Sequence, residues 1–183
     1  MGGPTLSTTL AERVLVPAPT TANDIDRLRA AIDESVAANE YVPNSATLLA
    51  ICISNLATIK DLIGDQAARM VSAEVEKRLK KVMRSSDVIG QLSEGQIGIV
   101  LSRCQPDKVP TATRRFIAAA TAGRVMIGDT SFEVMISVAS VAFPDEGLTS
   151  CDDVIAQAGT RLLHETTSRA PTVVQFNGGG VLG

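Results

Sequence analysis

The segment Arg84-Ser85-Ser86-Asp87-Val88-Ile89-Gly90-Gln91-Leu92-Ser93-Glu94-Gly95-Gln96-Ile97-Gly98-Ile99-Val100-Leu101 contains two β-rich runs, Asp87 to Leu92 and Ile97 to Leu101. Between them lies the polar tetrapeptide Ser93-Glu94-Gly95-Gln96, whose composition suits a hairpin turn. Upstream, Ile63, Ala67, Met70, Val71, Val75, Leu79 and Val82 keep a helical period from Asp61 to Met83, with Glu74, Glu76, Lys77, Arg78, Lys80 and Lys81 on the other face. This pattern predicts one long helix packed across the sheet. Further back, Thr47 to Ile53 is almost wholly apolar, which predicts a central strand buried on both faces, a buried helical segment being the alternative. Ile25, Leu28, Ile32 and Val36 mark a first helix, capped by Asn23 or Asp24 and ending near Asn39, before Pro43.

Downstream of the hairpin the pattern predicts a helix at about Val109 to Ala122 and strands at Arg124 to Ile127 and Ser131 to Ala142 around Gly128-Asp129. A helix at about Cys151 to Glu165 and a last strand at Thr172 to Phe176 follow. Strands and helices alternate without a repeat period, so the expected fold is α/β (α+β), a mixed central sheet flanked by helices. Residues 1–23, with Gly2, Gly3, Pro4, Pro17 and Pro19, read as a flexible leader or linker stub, residues 24–177 as the domain, and residues 178–183 as a flexible tail.

Composition narrows the function. The chain has 183 residues, 45% of them hydrophobic, enough for one sizeable core. A formal charge of -3 argues against a nonspecific grip on nucleic-acid polymers or charged membranes. Aromatic residues make up only 3%, with no tryptophan, so stacking successive bases of a single strand is poorly supported. No apolar run reaches the roughly 18–20 residues of a membrane span, and the N-terminal stretch lacks the pattern of a signal peptide, so a cytoplasmic protein is expected. Cys52, Cys104 and Cys151 are widely spaced and suggest reduced thiols rather than disulfides or zinc, and His164 is the single histidine. No cofactor or metal is implied.

The order of elements, the hairpin, the Arg84-x-x-Asp87 just before it and the strand ending Ser137-Val138-Ala139-Ser140-Val141-Ala142-Phe143-Pro144 resemble the GGDEF family, the diguanylate cyclases that condense two GTP into cyclic di-GMP. The resemblance covers roughly residues 24–177 and implies the family's nucleotide-cyclase palm fold. It also implies degeneracy. The family's Gly-Gly-Asp/Glu-Glu-Phe hairpin corresponds here to Ser93-Glu94-Gly95-Gln96-Ile97, which lacks both leading glycines and has Gly95 and Gln96 where the two acids belong. The metal-binding carboxylate of the first strand corresponds to Cys52 or Ser54, the nucleotide-reading Asn and Asp to Lys60 and Arg69, and a phosphate-binding Lys to a position near Thr166. With these losses, hard divalent cations have no carboxylate cage, and no cyclase activity is expected. Glu94 reads as a solvated turn residue, and Cys52 as a small buried hydrophobe.

The retained Arg84 and Asp87 match the family's inhibitory, product-binding motif, which an Arg on the helix after the hairpin completes. Counting forward reaches Arg115, with Arg114 beside it, and helix phase leaves open which of the two faces the ligand. The chemistry suits guanine dinucleotides. A guanidinium can fork onto guanine O6 and N7 or onto phosphate, and a carboxylate can accept from guanine N1–H and N2–H₂, donors that adenine lacks. The alternative is an ordinary i, i+3 ion pair closing a helix. The resemblance therefore implies a catalytically inactive receptor for cyclic di-GMP, with Arg84, Asp87 and Arg115 as contacts and ligand-linked homodimers as a consequence. The competing reading is a nucleotide-independent scaffold for protein interaction or dimerisation.

Overall fold

The structure, a computed structural model, describes residues 22–38 and 45–168. Residues 1–21 of the expected leader, the last strand at 172–176 and the tail lie outside the described residues, whereas Ala22 and Asn23 already belong to the first helix, so that helix starts before the expected cap at Asn23 or Asp24. Helix α1 (Ala22–Ala38) precedes strand β1 (Ala46–Ile53), then come α2 (Leu56–Ile63), α3 (Asp65–Lys80), the hairpin β2 (Val88–Ser93) and β3 (Gln96–Leu101), and α4 (Val109–Ala120). Short strands β4 (Val125–Ile127) and β5 (Thr130–Phe132), the long β6 (Ile136–Phe143) and α5 (Cys151–Ser168) complete it.

The main sheet has the order β2-β3-β1-β6, and all its pairings are antiparallel. The α+β layering stands, but among the described strands the sheet is antiparallel rather than mixed. A wholly apolar strand reports burial on two faces, and it carries no information about the direction of its neighbours. Strand β1 shows this. Leu49, Ile51 and Ile53 face one core with α2, α3 and α4, while Ala46, Leu48 and Ala50 face a second core with α1 and α5.

Two further expectations are corrected. The single helix over 61–83 is two helices, beginning at Leu56 and broken at Gly64, whose φ of 100° lies in the left-handed region that glycine tolerates. Ile63, counted among the inward residues, is consequently 43% exposed. The strand expected over 131–142 is interrupted after Phe132, because Asn55 clamps the main chain there: its Nδ2 donates to the Glu133 carbonyl at 2.7 Å and its Oδ1 accepts from the Met135 amide at 3.1 Å. At the start of α5, Ser150 accepts from the Asp153 amide at 3.2 Å and donates to the Asp153 carboxylate at 2.6 Å, a reciprocal cap.

The second core depends on two glycines that face each other across the hairpin, Gly90 and Gly98. A Cβ on Gly90 would stand 2.5 Å from the Asp24 carbonyl oxygen and 3.0 Å from Leu28 Cβ. Main-chain oxygen cannot swing aside as a side chain can, so α1 would have to lift off the sheet. Gly90→Ala is expected to cost about 1–3 kcal/mol of stability, read as a lower denaturation midpoint. An unchanged midpoint would show that α1 does not press on this strand.

Candidate functional site

Arg84 and Asp87 lie in the turn between α3 and β2, where the Asp87 amide donates to the Arg84 carbonyl at 3.1 Å. In return the Arg84 amide donates to Asp87 Oδ2 at 2.8 Å, so the carboxylate is fixed by its own turn. The Asp87 side chain is only 3% exposed, and Arg115 Nη2 approaches its Oδ2 at 3.9 Å from α4. The cation paired with Asp87 is therefore Arg115, and what Arg84 gives Asp87 is a main-chain hydrogen bond. This differs from a simple helix-closing pair of Arg84 with Asp87.

Arg115 is held from below by the Phe116 ring, whose centroid lies 5.0 Å from the guanidinium carbon. Its Nε is buried and has no hydrogen-bond partner. Arg114 points elsewhere: it is exposed, and its Nη2 donates to Thr111 Oγ1 at 3.4 Å. Arg84, Asp87 and Arg115 share one cavity of about 230 Å³ with Leu101 to Gln105, Lys108, Thr111 and Ala112, and Arg114 is outside it. The sequence reading missed Arg103 and Lys108 as lining residues. The cavity is cationic, with Arg84, Arg103, Lys108 and Arg115 around the single carboxylate of Asp87. Cys104, also in its wall, is buried, and desolvation pushes its thiol above the ordinary range.

The hairpin turn is at the other end of β2 and β3, about 20 Å away for a strand of this length. Ser93 and Glu94 are exposed, Gly95 and Ile97 are buried, and Gln96 is half-buried. Gly95 has φ 71°, its carbonyl accepts from the Ile53 amide at 2.9 Å, and a Cβ there would stand 2.6 Å from Leu56 Cδ2. Leu56 thus fills the space beneath the turn. Glu94 is exposed yet tethered, accepting from Lys60 Nζ at 3.0 Å, and the same ammonium lies 3.0 Å from Asp65. The two carboxylates hold the Lys60 pKa above its usual value, Asp65 contributing most. Glu94 is thus the exposed turn residue expected, with a surface ion pair to Lys60.

Cys52 is half-buried, and desolvation raises its thiol pKa, as its apolar neighbours predict. Ser54 shares a 3.0 Å hydrogen bond with Ser137. Arg69 is exposed, and Thr166 donates to the Leu162 carbonyl at 2.8 Å. Among the described residues, no three His, Cys, Asp or Glu side chains come together so as to hold a metal ion. No helix among them is long and apolar enough to cross a membrane.

A family model described as "Diguanylate cyclase, GGDEF domain" matches residues 25–169. The chain belongs to the GGDEF family. Solved structures agree at the level of the fold. The GGDEF domain of PA1120 (YfiN or TpbB) from Pseudomonas aeruginosa superposes with a TM-score of 0.70 at 18% identity, covering 85% of this chain and 94% of that one. The diguanylate cyclase SiaD from Pseudomonas aeruginosa, solved in complex with its activator SiaC, gives 0.71 at 16% identity, covering 77% of this chain and 54% of that one. This GGDEF domain thus spans about half the length of SiaD. The GGDEF domain of DgcB from Caulobacter crescentus, solved in complex with c-di-GMP, gives 0.66 at 14% identity, covering 79% and 82%. No curated protein sequence matches closely enough to add to these.

Proposed function

We propose that this GGDEF domain is a non-catalytic receptor for cyclic di-GMP, binding it at the cavity of Arg84, Asp87 and Arg115. The observation that carries the reading is the meeting of the buried Asp87 carboxylate with Arg84 and Arg115 on one cavity. Such a site reads guanine edges through Asp87 and takes phosphate or guanine O6 and N7 through the arginines. At about 230 Å³ the cavity suits one base and its neighbouring phosphate rather than a whole dinucleotide. The exposed remainder of the ligand is then free to meet a second protein copy, which gives ligand-linked dimers.

Loss of turnover is supported by the hairpin. Gly95 and Gln96 supply no carboxylate, Glu94 is engaged by Lys60, and Cys52 is a soft ligand ill suited to magnesium.

Calorimetric titration of the purified protein with cyclic di-GMP tests the reading, with GTP and cyclic di-AMP as controls and light scattering to follow size. Micromolar or tighter binding selective for cyclic di-GMP is expected, weakened roughly tenfold or more in Arg84→Ala by loss of a charge-assisted contact. No cyclic di-GMP is expected to form from GTP and magnesium. Absence of binding at high ligand concentration would sink the receptor and favour the scaffold, whose partners would be captured equally with or without the dinucleotide.

A further inference from the structure

Arg103 lies in the loop after β3 and lines the same cavity as Arg84, Asp87 and Arg115, although neither its position nor its neighbours mark it in the sequence. It is exposed and has φ 54°, the one non-glycine residue with positive φ among those described. For a residue with a long side chain this conformation is unfavourable, and it persists only where the surroundings enforce it. The four cations of the cavity are also not equivalent. Arg115 is paired with Asp87, and Lys108 lies 3.0 Å from Asp107. Among the described residues, no carboxylate pairs with the guanidinium of Arg103 or with that of Arg84. An unpaired guanidinium at the rim of a cavity that already holds excess positive charge is repelled by its neighbours, and a phosphate group relieves that repulsion.

We propose that Arg103 is a further ligand-contacting residue that holds a phosphate of the bound dinucleotide, a role that rests on the receptor reading above. The division of labour follows from burial. Asp87 is the buried acceptor suited to the base edge, Arg115 lies against it, and Arg103 at the exposed rim meets the charged backbone of the ligand. Because its contribution is largely Coulombic and solvent-exposed, it is screened by salt more strongly than that of Asp87.

The test is titration of cyclic di-GMP into the wild type, Arg103→Asn, Arg103→Lys and Arg84→Ala at low and high sodium chloride. Asparagine tolerates the left-handed backbone and removes the guanidinium together with the alkyl stem that carries it. Arg103→Asn is expected to bind roughly 10-fold or more weakly at low salt, to lose less at high salt, and to melt no lower than the wild type without ligand. Arg103→Lys, which keeps the charge but not the fork, is expected to recover part of the loss. Wild-type affinity in Arg103→Asn, together with weakened binding in Arg84→Ala, would overturn the role of Arg103 and leave the receptor standing. A wild type that does not bind would overturn both. A lower melting temperature in Arg103→Asn with unchanged affinity would make Arg103 structural and overturn the proposal as well.

Discussion

Phe116→Ala is expected to remove about 3–5 kcal/mol of stability, measured as a shift of the urea midpoint with an unchanged slope. Phe116 is fully buried in the core that α4 shares with α2, α3 and one face of the sheet. Truncation removes the transfer free energy of the ring and leaves a cavity between layers that the sheet cannot close by relaxing. A loss of that size is a large share of the roughly 5–15 kcal/mol that holds a domain together. The same ring supports Arg115, so the fold and the candidate site meet at this position. Phe116→Leu separates the two effects. It keeps most of the apolar volume, so its stability loss should be clearly smaller, while the guanidinium loses the aromatic face beneath it. A Phe116→Ala loss below about 1 kcal/mol would show that α4 is not anchored by this side chain.

Much of the fold was legible in the sequence where a single element carried its own signal. The β-rich runs around Ser93-Glu94-Gly95-Gln96 form the hairpin as expected, and the Thr47 to Ile53 run is the strand between two cores. The helix break was not legible, because Ile59, Ile63 and Ala67 stay four residues apart across Gly64 and the apolar period passes through it unchanged. Only the backbone reveals the positive φ that ends α2. The break between β5 and β6 is set by Asn55, 78 residues from Glu133, and no local pattern reports a clamp made at that separation.

For the candidate site, the resemblance to the family's Arg-x-x-Asp motif singled out Arg84 and Asp87, but it did not show that the Arg84 main chain, rather than its guanidinium, fixes the carboxylate. The choice between Arg114 and Arg115 depends on helix phase, and Phe116 settles that phase. Successive residues turn by about 100°, so with Phe116 pointing into the core Arg115 lies at the border of the buried face and Arg114 lies almost opposite. Arg103 had no signal at all, since its place at the cavity comes from a loop conformation that sequence periodicity does not describe.

Helix phase leads to a sharp contrast in binding. The double variant Asp87→Asn, Arg115→Ala is expected to lose roughly 100-fold or more in affinity for cyclic di-GMP, since two charge-assisted contacts of about 1.5–3 kcal/mol each disappear. Arg114→Ala removes the same formal charge as Arg115→Ala alone, one residue away, and should change affinity less than about twofold, because an exposed cation outside the cavity acts only through screened, long-range attraction. Asparagine at position 87 keeps an acceptor for the Arg84 amide, so the turn survives and the loss reports on recognition rather than unfolding. The single variants complete a cycle. Asp87 and Arg115 are 3.9 Å apart and line the same cavity, so their effects should fall short of additivity, each substitution having already disturbed the other's partner. Strict additivity would mean that the two side chains act on separate parts of the ligand, and equal losses in Arg114→Ala and Arg115→Ala would mean that general positive charge, not this geometry, attracts it.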